Sequence, residues 1–187
     1  MRAWLLNQLS EGRHMRPASV LRSMVLDDLP IVLGWRNHPE VQRYMYTQHE
    51  ITSTEHRLWF KRLQESPLEH PLVLEAGAER LGYARIHIVD QLAGRAEWGF
   101  YRAPEAPRGT GSDLCASVLQ HAFGQLGLHK IWGEVVSTNE PSVALHRKLG
   151  FREEARLRDH YFDGDKYQDS LGFGLLESEW CKNLGVQ

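Results

Sequence analysis

The sequence predicts a single α/β domain with a mixed, mostly antiparallel central sheet flanked by helices. Three observations carry that reading. The chain has 187 residues, within the roughly 100–200 of one domain. Three consecutive strand-like runs, with Gly77 and Gly94 in the turns between them, form a meander. Beyond it, helix and strand patterns alternate, which favours a sheet covered on both faces over a sandwich or a bundle. The division read from the sequence is an N-terminal extension over 1–17, the domain over 18–182 and a tail over 183–187.

The elements follow in order. Residues 20–24 make the first strand, and Asp27 or Asp28 then caps a helix that reaches Trp35 and Arg36. Asn37 and Pro39 punctuate it, and a short helix covers 40–45. Thr52 with Glu55 three residues on is a capping box for a helix that ends at Gln64 and turns Leu58, Phe60 and Leu63 to apolar use. Pro67 and Pro71 mark a loop before the meander strands at 72–75, 81–89 and 95–101. A helix over 111–126, a strand over 130–137, a helix over 141–149 and strands over 153–161 and 167–175 complete the chain, the last two joined by the turn sequence FDGDK.

Composition excludes several classes of function. Lys plus Arg number 22 against 24 for Asp plus Glu, so no bulk positive charge points to a phosphate-backbone reader, and a nucleic-acid partner is not expected. No apolar run approaches the ~20 residues of a membrane span. MRAWLLNQLSEGRH at the start lacks a long apolar core and a small-residue cleavage site, so it reads as an extension and not as a signal. Cys115 and Cys181 stand apart with no CxxC or Cys/His cluster, which fits a reducing cytoplasm and neither a zinc site nor a disulfide framework. The ten histidines include no HExxH spacing; no metal is expected.

Two blocks carry chemistry. YRAPEAPRGTGSD ends a strand in two prolines, then enters a helix through an Arg and two glycines. Such a turn lets backbone amides approach an anion at a helix N-terminus, although a plain turn capped by Ser112 or Asp113 would look the same. VVSTNEPSVALHRKLGF is a strand ending in Asn139, with Pro141 in the first turn of the next helix and Gly150 at its end. Together, over about Leu21 to Phe173, these blocks resemble the GNAT superfamily of N-acetyltransferases. The resemblance implies a GNAT-like fold and acetyl-CoA as co-substrate. It also implies a cofactor site drawn from Phe100, Tyr101, Arg108, Gly109, Thr110, Gly111, Ser112, Asn139 and Ser142. Arg108 and Gly111 match the family's pyrophosphate loop, whereas Asp113 stands where a small residue belongs. Asn139 matches the Asn that contacts the pantetheine arm, and it also suits a helix cap.

A narrower resemblance covers both ends of the domain. LGWRNHPEVQRYMYTQHEITSTEHRLWF and RLRDHYFDGDKYQDSLGFGLLESEW are similar to the N-acetyltransferases of pseudaminic acid biosynthesis. Those enzymes acetylate the 4-amino group of a UDP-linked 4-amino-4,6-dideoxy-N-acetyl-altrosamine, a step toward the sugar placed on flagellins. The implied partner is therefore a small nucleotide-sugar amine, and a homodimer is compatible with that picture. Acetyltransferases of ribosomal protein N-termini share looser versions of the WRN segment and supply the runner-up acceptor. A CoA-binding module without catalysis is the rival class, since the family's usual acid Tyr is absent.

Amide formation from a thioester needs a neutral amine, a polarised carbonyl and a departing thiol. Glu97 on the third meander strand is the candidate base; alternation puts it opposite Trp98, so one of the two faces away from the centre. His146, seven residues after Asn139 where the family carries its acid Tyr, is the candidate acid, although beside Arg147 and Lys148 it also reads as a surface residue. Arg36, Asn37, Tyr44, His56 and Trp59, in the helical segment that walls the acceptor pocket in this family, are the candidate acceptor residues. An Arg suits a diphosphate and an aromatic ring suits uracil, though each of these residues has an ordinary structural use as well.

Overall fold

The computed structural model describes residues 18–183 and 185. The expectation of an extension over 1–17 lies outside them. Strand β1 (Ser19–Ser23) leads through a single 3-10 turn to helices α1 (Leu29–Asn37), α2 (Pro39–Gln42) and α3 (Ser53–Gln64). The meander is β2 (Glu69–Ala76), β3 (Glu79–Asp90) and β4 (Arg95–Arg102). Then come α4 (Thr110–Gly124), β5 (Lys130–Val136), α5 (Glu140–Lys148), β6 (Arg152–Phe162), β7 (Tyr167–Leu176) and α6 (Glu177–Asn183). The seven strands make one sheet in the order β1-β2-β3-β4-β5-β7-β6. Among its pairings, β4 with β5 is parallel and the others are antiparallel.

Local chemistry explains most boundaries. Thr52 Oγ1 accepts from the Glu55 N–H at 3.2 Å while Glu55 accepts from the Thr52 N–H at 2.7 Å, so the capping box forms as its spacing predicts. Pro71 lies inside β2 and not in the loop expected of it. It pairs with Arg85 on β3 one residue beyond the end of the β1 ladder at Ser23 and Leu72, where its missing N–H breaks no bond to β1. Helix α6 takes in Asn183, part of the expected tail, and buries Trp180 against the core. Seven residues are too few for a periodic signal.

Asp28 departs from its expected use as a cap. Its buried carboxylate accepts from Arg22 at 2.7 Å, Arg80 at 2.6 Å and the Val25 N–H at 2.9 Å. Burial pushes its pKa up, but these donors outweigh burial and hold it below the usual carboxylate range.

Both faces of the sheet are covered. On one, Leu114, Val118 and Leu119 of α4 pack with Ile86, Ala96, Ile131 and Phe173. On the other, Val32 and Trp35 of α1 and Phe60 of α3 pack with Val73 and Tyr83. Each such fully buried side chain contributes roughly 1.5–3 kcal/mol.

The site arises where pairing fails. β4 and β5 are joined only through Arg95 to Lys130, Ala96 to Ile131 and Glu97 to Trp132, yet β4 runs on to Arg102 and β5 to Val136. The strands splay apart beyond that point. The Trp98 indole lies across β5 at Gly133, where a Cβ would sit 2.5 Å from its Nε1. No other residue type fits at position 133 without moving the indole.

Candidate active site

Two cavities open at the splay. One, of about 570 Å³, lies between the sheet and the α1–α3 side and is lined by Arg36, His56, Trp59, Tyr83, Arg85 and Glu97 among others. The other, of about 190 Å³, reaches between β4 and β5 to Asn139, Ser142 and His146 at α5. They share Met45, Trp98, Gly99 and Phe100. A group held in one can therefore react with a group held in the other across the exposed Gly99, which has no side chain to separate them. Backbone groups on the β5-facing edge of β4 beyond Glu97 have no strand partner and are available to a ligand.

The larger cavity's floor is one face of two paired strands, with Tyr83 opposite Tyr101, Arg85 opposite Gly99 and His87 opposite Glu97. Glu97 is exposed on this face while Trp98 is buried on the other, as alternation requires. His56 stacks on Trp59 with ring centroids 4.8 Å apart, and burial together with the nearby Arg36 charge lowers the His56 pKa. Arg36 donates to the Thr47 carbonyl at 3.2 Å, while its Nη1 is buried without a partner, and burial lowers its pKa. The Tyr83 hydroxyl is likewise buried and unpartnered.

Three expected assignments change. Asn37 does not line the cavity; its side chain accepts from the Ile51 N–H at 2.9 Å and donates to the Ile51 carbonyl at 2.8 Å, fixing the loop before α3. Tyr44 lines the smaller cavity and not the acceptor wall. Tyr101, expected at the cofactor, lines the larger cavity, whereas Phe100 lies between the two.

The glycine loop expected to meet the cofactor sits at the N-terminus of α4. Gly109 has φ +94° and Thr110 turns its hydroxyl back to the Pro107 carbonyl at 2.8 Å, so the left-handed turn that needs glycine precedes the helix. A Cβ at Gly111 would meet only Leu145 at 3.8 Å, which leaves bare backbone beside α5. Lys148 donates to Ser112 at 3.4 Å and ties α4 to α5 there. Residues 108–112 line neither cavity, and Asp113 lies within the first turn of α4. Asn139 is the α5 cap, its Oδ1 accepting from the Ser142 N–H at 3.3 Å, and its amide nitrogen remains for a ligand in the smaller cavity.

His146 is buried, not a surface residue. Its ring lies among Trp98, Phe100, Phe151 and Phe173, with centroids 5.0–5.6 Å away. Nδ1 is 2.8 Å from the Ser142 carbonyl, which can only accept, so Nδ1 carries the proton. Burial lowers the pKa more than that bond raises it. The neutral ring thus has a lone pair at Nε2, and that atom is buried with no protein partner. The expected acid would have no proton to give at that atom.

The sequence reading passed over Tyr46 and the role of Glu134. Glu134, on the other arm of the splay from Glu97, accepts a hydrogen bond from the Tyr46 hydroxyl, which also lies 3.3 Å from Ser170 Oγ. Burial and this bond push the Tyr46 pKa up to about 12. The Tyr161 hydroxyl donates to the Arg43 carbonyl at 2.7 Å, so the α2–α3 loop straps across the splay to the β5–β7–β6 half. A lone acid inside KIWGEVV was the sequence signal for Glu134. Nothing local announced its partner from 88 residues away.

Among the described residues, no group of three or more His, Cys, Asp or Glu could hold a metal ion. No helix there is long and apolar enough to cross a membrane.

Comparison with known proteins gives the class. The family model for the acetyltransferase (GNAT) domain matches residues 19–152, and the chain belongs to that family. It is an N-acetyltransferase whose acetyl donor is acetyl-CoA. It is 25% identical to a spermidine N(1)-acetyltransferase of Vibrio cholerae over 168 residues, 89% of this chain and 97% of that one. It is 23% identical to the acetyltransferase PseH of Campylobacter jejuni over 134 residues, 72% of this chain and 83% of that one. The crystal structure of the Vibrio cholerae spermidine N-acetyltransferase with CoA and spermine superimposes with a TM-score of 0.82 at 24% identity. That match covers 87% of this chain and 97% of the other.

Proposed function

We propose that this chain transfers the acetyl group of acetyl-CoA to a primary amine, and that the amine is the 4-amino group of a UDP-linked dideoxy amino sugar. The single observation behind the transfer is the meeting of the two cavities at Gly99, with carboxylates on both arms of the splay. Support for the sugar comes from the likeness to PseH and from the Arg36, His56 and Trp59 wall.

Acetyl-CoA supplies a thioester, held by the bare backbone at Gly111, by Asn139 and Ser142, and by the unpaired edge of β4. Glu97 takes a proton from the amine, directly or through water, as the nitrogen bonds to the carbonyl carbon. The carbon–sulfur bond then breaks and the thiolate gains a proton. Tyr44 replaces His146 as its donor in this reading, because Tyr44 lines the same cavity and the Tyr46 proton is committed to Glu134.

Thiol release by the purified chain tests the reading, with the UDP-4-amino sugar, a ribosomal N-terminal peptide and spermidine compared side by side. The sugar is expected to give the highest kcat/KM. Acetylation of the peptide or of spermidine with the sugar ignored would refute the acceptor, and acetyl-CoA binding without turnover on any amine would leave only a binding module.

A further inference from the structure

We infer that Arg36 and Tyr83 form an anion subsite in the larger cavity, so that the acceptor carries a phosphate or carboxylate as well as its amine. The inference rests on that cavity being the acceptor site. The Arg36 Nη1 and the Tyr83 hydroxyl are both hydrogen-bond donors, both buried, both without a partner, and both residues line the cavity. Tyr83 is 5% exposed.

An unpaired donor removed from water costs free energy, and a half-desolvated guanidinium costs more. Arg36 meets no carboxylate; its bond is to the Thr47 carbonyl. The neighbouring charges do not change this. Arg85 is held by Glu69, and Glu55 is engaged by Thr52 and His49. Arg62, exposed at the rim, adds a second positive charge. Glu97 stands on the β4 floor as the carboxylate base for the amine. The cavity is therefore bipolar, with a carboxylate at the splay and two uncompensated donors, one from Arg36 on α1 and one from Tyr83 on the β3 floor. A molecule with an amine at one end and an anion at the other satisfies both. A polyamine would bring its further ammonium groups toward Arg36, where like charges repel in a poorly solvated space.

The test is equilibrium binding, read by tryptophan fluorescence and calorimetry on the acetyl-CoA-loaded protein. Inorganic pyrophosphate and succinate serve as probes that separate phosphate from carboxylate, and spermidine is the cationic control. At least one anion should bind in competition with the amine acceptor. Arg36→Gln and, independently, Tyr83→Phe should weaken that binding by roughly 10- to 100-fold for the former and less for the latter, with Arg36→Lys recovering part of it. Acetyl-CoA affinity and Tm should stay near the parent values. The subsite is overturned if neither anion binds, if both substitutions leave anion affinity unchanged, or if spermidine binds more tightly than either anion. Its failure is separable from failure of the proposed activity. A UDP-amino sugar turned over with an unchanged KM in Arg36→Gln removes the subsite and keeps the reaction. Anion binding that depends on Arg36, with no turnover of that sugar, keeps the subsite and removes the sugar.

Discussion

Replacing His146 by Phe should change how stability depends on pH while changing little at pH 7.5. The folded chain buries a neutral imidazole whose pKa lies below its ordinary value because burial opposes the charge. The unfolded chain titrates at about 6.5. Below that pH the unfolded state binds a proton that the folded state refuses, so stability is full above about 6.5 and falls as pH falls toward the folded pKa. If the folded ring stays neutral throughout, the unit from pH 6.5 to 5.5 costs about 1 kcal/mol. Phe binds no proton and fits a site walled by Trp98, Phe100, Phe151 and Phe173. It forgoes one hydrogen bond to the Ser142 carbonyl, worth about 1 kcal/mol, and removes the unpartnered Nε2. Urea unfolding of parent and variant at pH 7.5, 6.5 and 5.5 isolates the effect, since the other histidines are common to both. The variant should gain about 1 kcal/mol on the parent by pH 5.5. A stability difference that does not move with pH, or that moves in the parent's favour as pH falls, would show that the folded ring takes up a proton at least as readily as the unfolded one, and would return His146 to the role of acid.

Three further outcomes follow from the same geometry. Glu97→Gln should keep acetyl-CoA affinity and lower kcat by about 10²- to 10⁴-fold, most at low pH where the amine is already protonated; a rate within about twofold of the parent would end its assignment as base. Gly111→Glu puts a carboxylate where phosphate is expected and should weaken acetyl-CoA binding sharply, while Gly111→Ala, whose Cβ meets only Leu145, should leave Tm near the parent value; a Glu variant with the parent's affinity would place the cradle elsewhere. Asp28→Asn should cost about 3 kcal/mol at neutral pH, since it leaves Arg22 and Arg80 facing a neutral group. Because the folded Asp28 pKa is depressed, that contribution is present above about pH 4 and is lost as pH falls further, so the gap between parent and variant in urea unfolding should close in acid.

Much of the fold was legible because its signals are local. The Thr52 and Glu55 capping box, the Gly77 and Gly94 turns and the Asn139 start of α5 depend on neighbours within a few residues. Pro71 was misread because its tolerance inside β2 depends on where β1 stops, a fact of pairing and not of sequence. Asp28 looked like a cap for the same kind of reason, since Arg80 reaches it from 52 residues away.

By itself the sequence determined the class: a strand, helices, a meander, and two motif blocks that bring a glycine turn and an Asn-capped helix to one end of a sheet. Those features follow from backbone preferences and short spacings, which a linear string carries whole. Tertiary structure alone decided which side chains face one another. It buried His146 in aromatic rings and committed its proton to the Ser142 carbonyl, and it put Tyr44 on the smaller cavity in place of the larger one. It also joined Tyr46 to Glu134 and left Arg36 and Tyr83 with donors unspent. Burial, protonation and hydrogen-bond satisfaction are properties of packed neighbours, and here the neighbours come from strands and loops far apart in the chain.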